Sequence, residues 1–191
     1  MILLFLIFFE TAVKTQLTSM LLEELETVVE TSVIDAVDAY LTLYPESCDE
    51  LVEVHYTDGT VGAITTNAAA INRVKTAVSS LSQQMIADRC RDNGVTIPLG
   101  GLTGLVFLAD IGPRIRLNVE SKQTVRCSFE SSFTSAGVNQ TLHHIILTVD
   151  TELTVYSPYR IHDKLICSSS FEIAQTVIVG EVPSYSGVIT Y

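Results

Sequence analysis

The C-terminal half of this chain alternates apolar and polar residues with a period of two, over stretches long enough to dominate any fold it can adopt. Ile145, Leu147, Val149, Leu153 and Val155 share one parity, with Thr148, Asp150, Glu152 and Thr154 on the other. Val125, Cys127 and Phe129 alternate with Arg126, Ser128 and Glu130. Leu165, Cys167, Phe171 and Ile173 repeat the pattern, as do Ile115, Leu117 and Val119 against Arg116, Asn118 and Glu120. Successive strand residues point to opposite faces, so this spacing predicts antiparallel strands with one buried and one wet face. Such a sheet needs a cover on its apolar side.

The N-terminal half supplies two helices for that purpose. Leu22, Leu25, Val29, Val33, Ala36, Tyr40 and Leu43 recur at three- and four-residue steps, and Pro45 ends the run. LVEVHYT, Asp58-Gly59 and TVGAITT then read as a hairpin, because Asp-Gly suits a two-residue type I′ turn. Asn67 caps a second helix with Ile71, Val74, Val78, Leu81 and Met85 on its buried face, closed by Asp92-Asn93-Gly94. The predicted fold class is α+β. An N-terminal membrane-proximal helix, a β-hairpin and a second helix pack on an antiparallel sheet of long C-terminal strands.

Residues 1–9, MILLFLIFF, are an unbroken apolar run. As helix they rise about 13 Å, less than half the roughly 30 Å of a bilayer core. They carry no basic n-region and no small-residue cleavage site, so they do not make a signal peptide. The reading is residues 1–16 as the end of a truncated membrane anchor and residues 17–191 as one α+β domain, with the first helix continuing from the anchor. Acids crowd this flank: residues 1–60 hold twelve Asp or Glu and only Lys14 as a basic residue. Basic residues prefer the cytoplasmic side, so the flank points to an extracytoplasmic domain. A net charge of -11 excludes a nucleic-acid binder, which needs a basic face.

Groups that could carry chemistry are sparse. Cys48, Cys90, Cys127 and Cys167 lie far apart, without CxxC or zinc spacing, and read as free buried thiols. In a simple meander the middle strand separates Cys127 from Cys167. Adjacent His143 and His144 point to opposite faces of a strand and cannot jointly grip one metal. An acid/base site would need one of them to converge with Asp150 or Glu152. His55 and His162 have no partner nearby in sequence. PLGGLTG has no P-loop pattern and reads as a tight turn or close backbone packing. Ser168-Ser169-Ser170 reads as polar strand, and Asn139-Gln140-Thr141 matches a glycosylation sequon. Arg114, Arg116, Arg126 and Arg160 could form a basic strip on the exposed sheet face. No catalytic residue, cofactor or metal is assigned.

Several long segments resemble the YunB family of sporulation proteins of endospore-forming bacteria. They are IPLGGLTG, GPRI, SFESSFTSAGVNQTLHHIILTV and IAQTVIVGEVP, in that order and in one register. The resemblance implies a short N-terminal stretch, one membrane-spanning helix and a domain beyond it, made in the mother cell during spore formation. It implies neither enzymatic activity nor a cofactor. This chain departs from the pattern in lacking a basic segment before the span, in His144 where arginine is expected, and in a looser segment around Arg116. The expectation is a membrane-anchored sporulation protein acting by contact with protein partners of the sporulation machinery, in the mother-cell membrane. The alternative is an extracytoplasmic enzyme of spore-envelope remodelling using His143 or His144 with nearby acids.

Overall fold

The computed structural model describes residues 2–57, 60–92, 94–117, 119–137, 140–157 and 161–179. Helix α1 (Ile2–Leu43) leads through two 3-10 turns into the hairpin β1 (Val52–Thr57) and β2 (Thr60–Thr66). Helix α2 (Ala68–Asp92) is followed by the short strands β3 (Val95–Pro98) and β4 (Arg114–Leu117). Three long strands complete the chain: β5 (Glu120–Gly137), β6 (Gln140–Ser157) and β7 (Ile161–Val179). The expected α+β architecture is the one observed.

β5, β6 and β7 form an antiparallel meander with β6 in the centre. Each has 18 or 19 residues, three times an ordinary strand, and spans about 60 Å. On β6 the inward parity is buried at Ile145, Leu147, Val149, Thr151, Leu153 and Val155. Helix α2 lies along β5 and α1 along β7, forming one layer on that face. The helices run antiparallel: Arg89 near the end of α2 pairs with Asp35 of α1, while Arg73 near its start reaches Glu50 beyond α1.

The apolar helix faces follow the 3.6-residue period. Leu21, Leu25, Val29, Val33, Ala36 and Tyr40 are buried on α1, so Leu21 takes the place expected for Leu22. Leu43 is 66% exposed, because the helix ends there and the chain turns away. On α2 the face runs through Ala70, Val74, Val78 and Ile86 to Cys90, beyond the expected limit at Met85. The Asn67 cap forms as expected, its Oδ1 accepting from the backbone N–H of Ala69 and Ala70 at 3.1 Å each. Gly94 takes φ 57, the left-handed turn that releases the chain from α2.

One expectation needs correction. Ile115 and Leu117 do not join the long sheet: β4 pairs with β3 in a separate two-stranded sheet, which turns Ile97 and Pro98 from connection into strand. Alternation reports a buried face and not the pairing partner. Among the described residues no helix is long and apolar enough to cross a membrane. The β1–β2 hairpin forms with Thr57 opposite Thr60, while Asp58-Gly59 lies outside the described residues, as do Asn93, Asn118 and Asn139.

Candidate functional site

The outward face of the long sheet carries Arg126, His144, Asp150, Glu152, Ser168 and Ser170. Its side chains bond to one another across strands. Ser168 on β7 donates to Asp150 Oδ1 at 2.7 Å, Thr148 and Ser170 lie 3.1 Å apart, and Lys164 Nζ meets Glu152 Oε1 at 3.0 Å. Beside these pairs Ile166 and Val177 of β7 are exposed apolar residues on the same face.

His143 and His144 divide between the two faces, as adjacent strand residues must. His143 is 1% exposed on the inward side. Its Nε2 lies 2.7 Å from Ser131 Oγ and its ring stacks on Phe133 at 4.5 Å, while Nδ1 is buried without a partner. Burial, with a smaller contribution from His144, pushes its pKa below the usual histidine value. The neutral ring is thus the form this site favours.

His144 faces outward between both neighbouring strands. Its Nδ1 lies 2.6 Å from Glu172 Oε1 on β7 and its Nε2 lies 2.9 Å from Thr134 Oγ1 on β5. The acid it finds is therefore Glu172, not Asp150 or Glu152, and that expected convergence is corrected. Residues six and eight apart on one strand lie about 20 and 26 Å from each other, whereas a neighbouring strand is about 5 Å away. Asp150 and Glu152 are taken by Ser168 and Lys164.

Hydroxyl, imidazole and carboxylate in line are the order of an activated nucleophile. Yet the backbone N–H groups around Thr134 lie in the plane of the sheet. None is aimed above the face, where an oxyanion on an attacked substrate would stand. The triplet ties three strands together. Among the described residues no group of three or more His, Cys, Asp or Glu could hold a metal. His55 meets Thr65 Oγ1 at 2.9 Å on the exposed hairpin. The side chain of His162 lies outside the described residues.

The basic strip does not assemble. Arg114 and Arg116 belong to β4 in the small sheet, Arg126 lies on β5, and Arg160 is outside the described residues. The glycines of residues 97–104 are packing glycines: a Cβ on Gly100 would sit 1.9 Å from the Leu108 carbonyl oxygen and one on Gly101 2.3 Å from Met20 Cε. The N–H groups of Leu99, Gly100 and Gly104 already donate to Pro113, Ile111 and Gly101, so they form no phosphate cradle. All four cysteines are free. Cys127 and Cys167 flank β6, opposite Val149 and Thr151, both buried as the meander predicts.

Sequence reasoning missed Glu172 and Thr134, which even parity on the outer strands could have suggested once the register was known. It also missed Tyr40 and Tyr44 as a pair, although one helical turn separates them in YLTLYPE.

The family described as Sporulation protein YunB matches residues 94–185, which take in β3, β4 and the whole long sheet. A protein of Bacillus subtilis (strain 168), described as Sporulation protein YunB, is 23% identical over 137 residues. That similarity covers 67% of this chain and 54% of the relative, so the chain spans about half the length of the curated relative it matches. No solved structure matches the chain.

Proposed function

We propose that this chain, a YunB-family protein across residues 94–185, serves endospore formation as a membrane-anchored, non-enzymatic interaction or assembly component. The observation that carries this reading is the outward face of the long sheet. Its polar groups are occupied with one another, and its three strands extend about 60 Å as a continuous contact surface. A surface of that kind suits protein contact better than turnover, which needs a concave site with a poised group.

Anchoring rests on the apolar run of residues 1–9, at the start of α1. In this reading residues 1–16 sit at the membrane and the acidic α1 holds the sheet beside it, outside the cytoplasm of the mother cell. The test is to express the chain without residues 1–16 in sporulating cells. Spore formation is lost while the remaining chain keeps its cooperative thermal unfolding; normal sporulation from the unanchored chain counts against the proposal.

A second reading, an extracytoplasmic enzyme of envelope remodelling, draws support from the Glu172–His144–Thr134 line alone. His144→Ala discriminates. Contact predicts near-normal spore numbers, and catalysis predicts their loss with the fold intact.

A further inference from the structure

The turn that follows α1 borders an open pocket of about 550 Å³ whose chemistry belongs to neither reading above. Tyr40, Leu43 and Tyr44 line one side and Glu46, Glu50 and Arg73 the other. The rings of Tyr40 and Tyr44 lie 5.3 Å apart, tilted by 39°. Tyr40 is 6% exposed, so Tyr44, 57% exposed, presents the more open ring of the pair. Arg73 is already committed to Glu50 at 2.7 Å. Glu46 has no ion-pair or hydrogen-bond partner among the described residues.

These groups restrict what can bind. An apolar ligand would bury the Glu46 carboxylate without a partner, which is costly. An anion would face the free Glu46, and Arg73, the lining cation among the described residues, is neutralised by Glu50. A cation with N–H donors and a methylene stem satisfies every group: ring faces attract it, Glu46 balances it, and the Tyr40 oxygen accepts one N–H.

We propose that the pocket between Tyr40, Tyr44 and Glu46 binds a primary alkylammonium group. Its source is the lysine side chain of a polypeptide partner. Exposed Leu43 and Tyr44 on the rim offer apolar surface that a polypeptide covers and a small free diamine does not. The site stands independently of the sheet face, since it lies at the far end of α1 and outside the residues that match the family.

The test uses the full chain in maltoside micelles with carbon-13-labelled tyrosine, followed by NMR during titration. The probes are acetyl-Ala-Lys-Ala-amide, the same peptide with norleucine for lysine, and putrescine. Ring signals absent from Tyr40→Phe and Tyr44→Phe variants supply the assignment. The lysine peptide shifts both signals to saturation, and Glu46→Gln raises its Kd about tenfold, the loss of one charge-assisted contact. Adding about 0.5 M NaCl weakens binding as screening requires. Tighter saturation by putrescine keeps the ammonium chemistry and reassigns its source to a free diamine. Equal shifts by the norleucine peptide, no change in Glu46→Gln, or no saturable shift with either amine overturns the proposal.

Discussion

Replacing Gly100 with alanine destabilises the protein, and the structure fixes both the size and the locality of the effect. An added Cβ lies 1.9 Å from the Leu108 carbonyl oxygen and 2.3 Å from that of Ile111. Both atoms are backbone, so neither can swing aside as a side-chain end does. Relief requires the two segments to separate by about an ångström, a strain of the kind that costs about 1–3 kcal/mol. That movement also breaks the Gly100 N–H bond to the Ile111 oxygen, now 2.9 Å, at a further cost of about 1 kcal/mol. Together the loss is about 2–4 kcal/mol, which for a chain of this size lowers Tm by about 5–15 °C. Gly101→Ala is the internal comparison. Its Cβ meets Met20 Cε at 2.3 Å and Sδ at 2.7 Å, the far end of a flexible side chain on α1. It therefore costs less, and Met20→Ala in the same molecule lowers the cost further, a coupling that no Met20 change produces with Gly100→Ala. Thermal unfolding of the four variants by calorimetry is the assay. An unshifted Tm for Gly100→Ala, or its rescue by Met20→Ala, refutes the reasoning.

Further outcomes follow from the core and its titratable groups. Leu147 is fully buried at the centre of β6, so Leu147→Ala lowers unfolding free energy by about 2–5 kcal/mol in urea titrations, with the m-value unchanged. The folded-state pKa of His143 is depressed, so the unfolded chain binds a proton more readily. Its contribution to stability is complete above the unfolded value of about 6.5 and is lost as pH falls below it. His143→Phe flattens that part of the pH–stability curve, and an unchanged slope contradicts the assignment. Burial raises the thiol pKa of all four cysteines, that of Cys167 to about 11, so access decides the order of reaction. Under native conditions a thiol reagent therefore modifies the half-buried Cys48 first, and the other three only on unfolding. Mass spectrometry of partly labelled protein reads the order.

The strands of the long sheet were legible because burial imposes parity, and parity survives in the sequence from Ile145 to Val155. What parity cannot carry is the partner. The run at Ile115 and Leu117 reads as another strand of the same sheet, yet it pairs with Val95 and Ile97, because the tight packing at Gly100 and Gly101 folds the chain back there. Nor does parity show the register shift between Ile145 and Ile146 opposite β7, which helps decide which acid faces His144. Glu172 was invisible for that reason: it is remote in sequence and meets the histidine only through strand pairing. The two helix faces were readable from their period, but their ends were not. Packing against β5 carries the α2 face on to Cys90, whereas the turn after α1 leaves Leu43 outside. Of the candidate chemistry, the division of His143 from His144 followed from strand geometry alone, while the Tyr40–Tyr44 pocket depended on where the chain goes after Pro45.

Ser128, Thr148 and Ser170 form one row across β5, β6 and β7 on the outward face. Converting all three to lysine changes that surface without touching the helix-covered core. Heat-resistant spore counts and partner co-purification from cells carrying this variant, with folding checked by circular dichroism, weigh contact against chemistry most directly. Loss of both spores and partner from a folded variant, with His144→Ala near normal, is the expected result. Normal spores and an unchanged partner from the lysine row, alongside spore loss in His144→Ala, contradict a protein that works through its sheet surface.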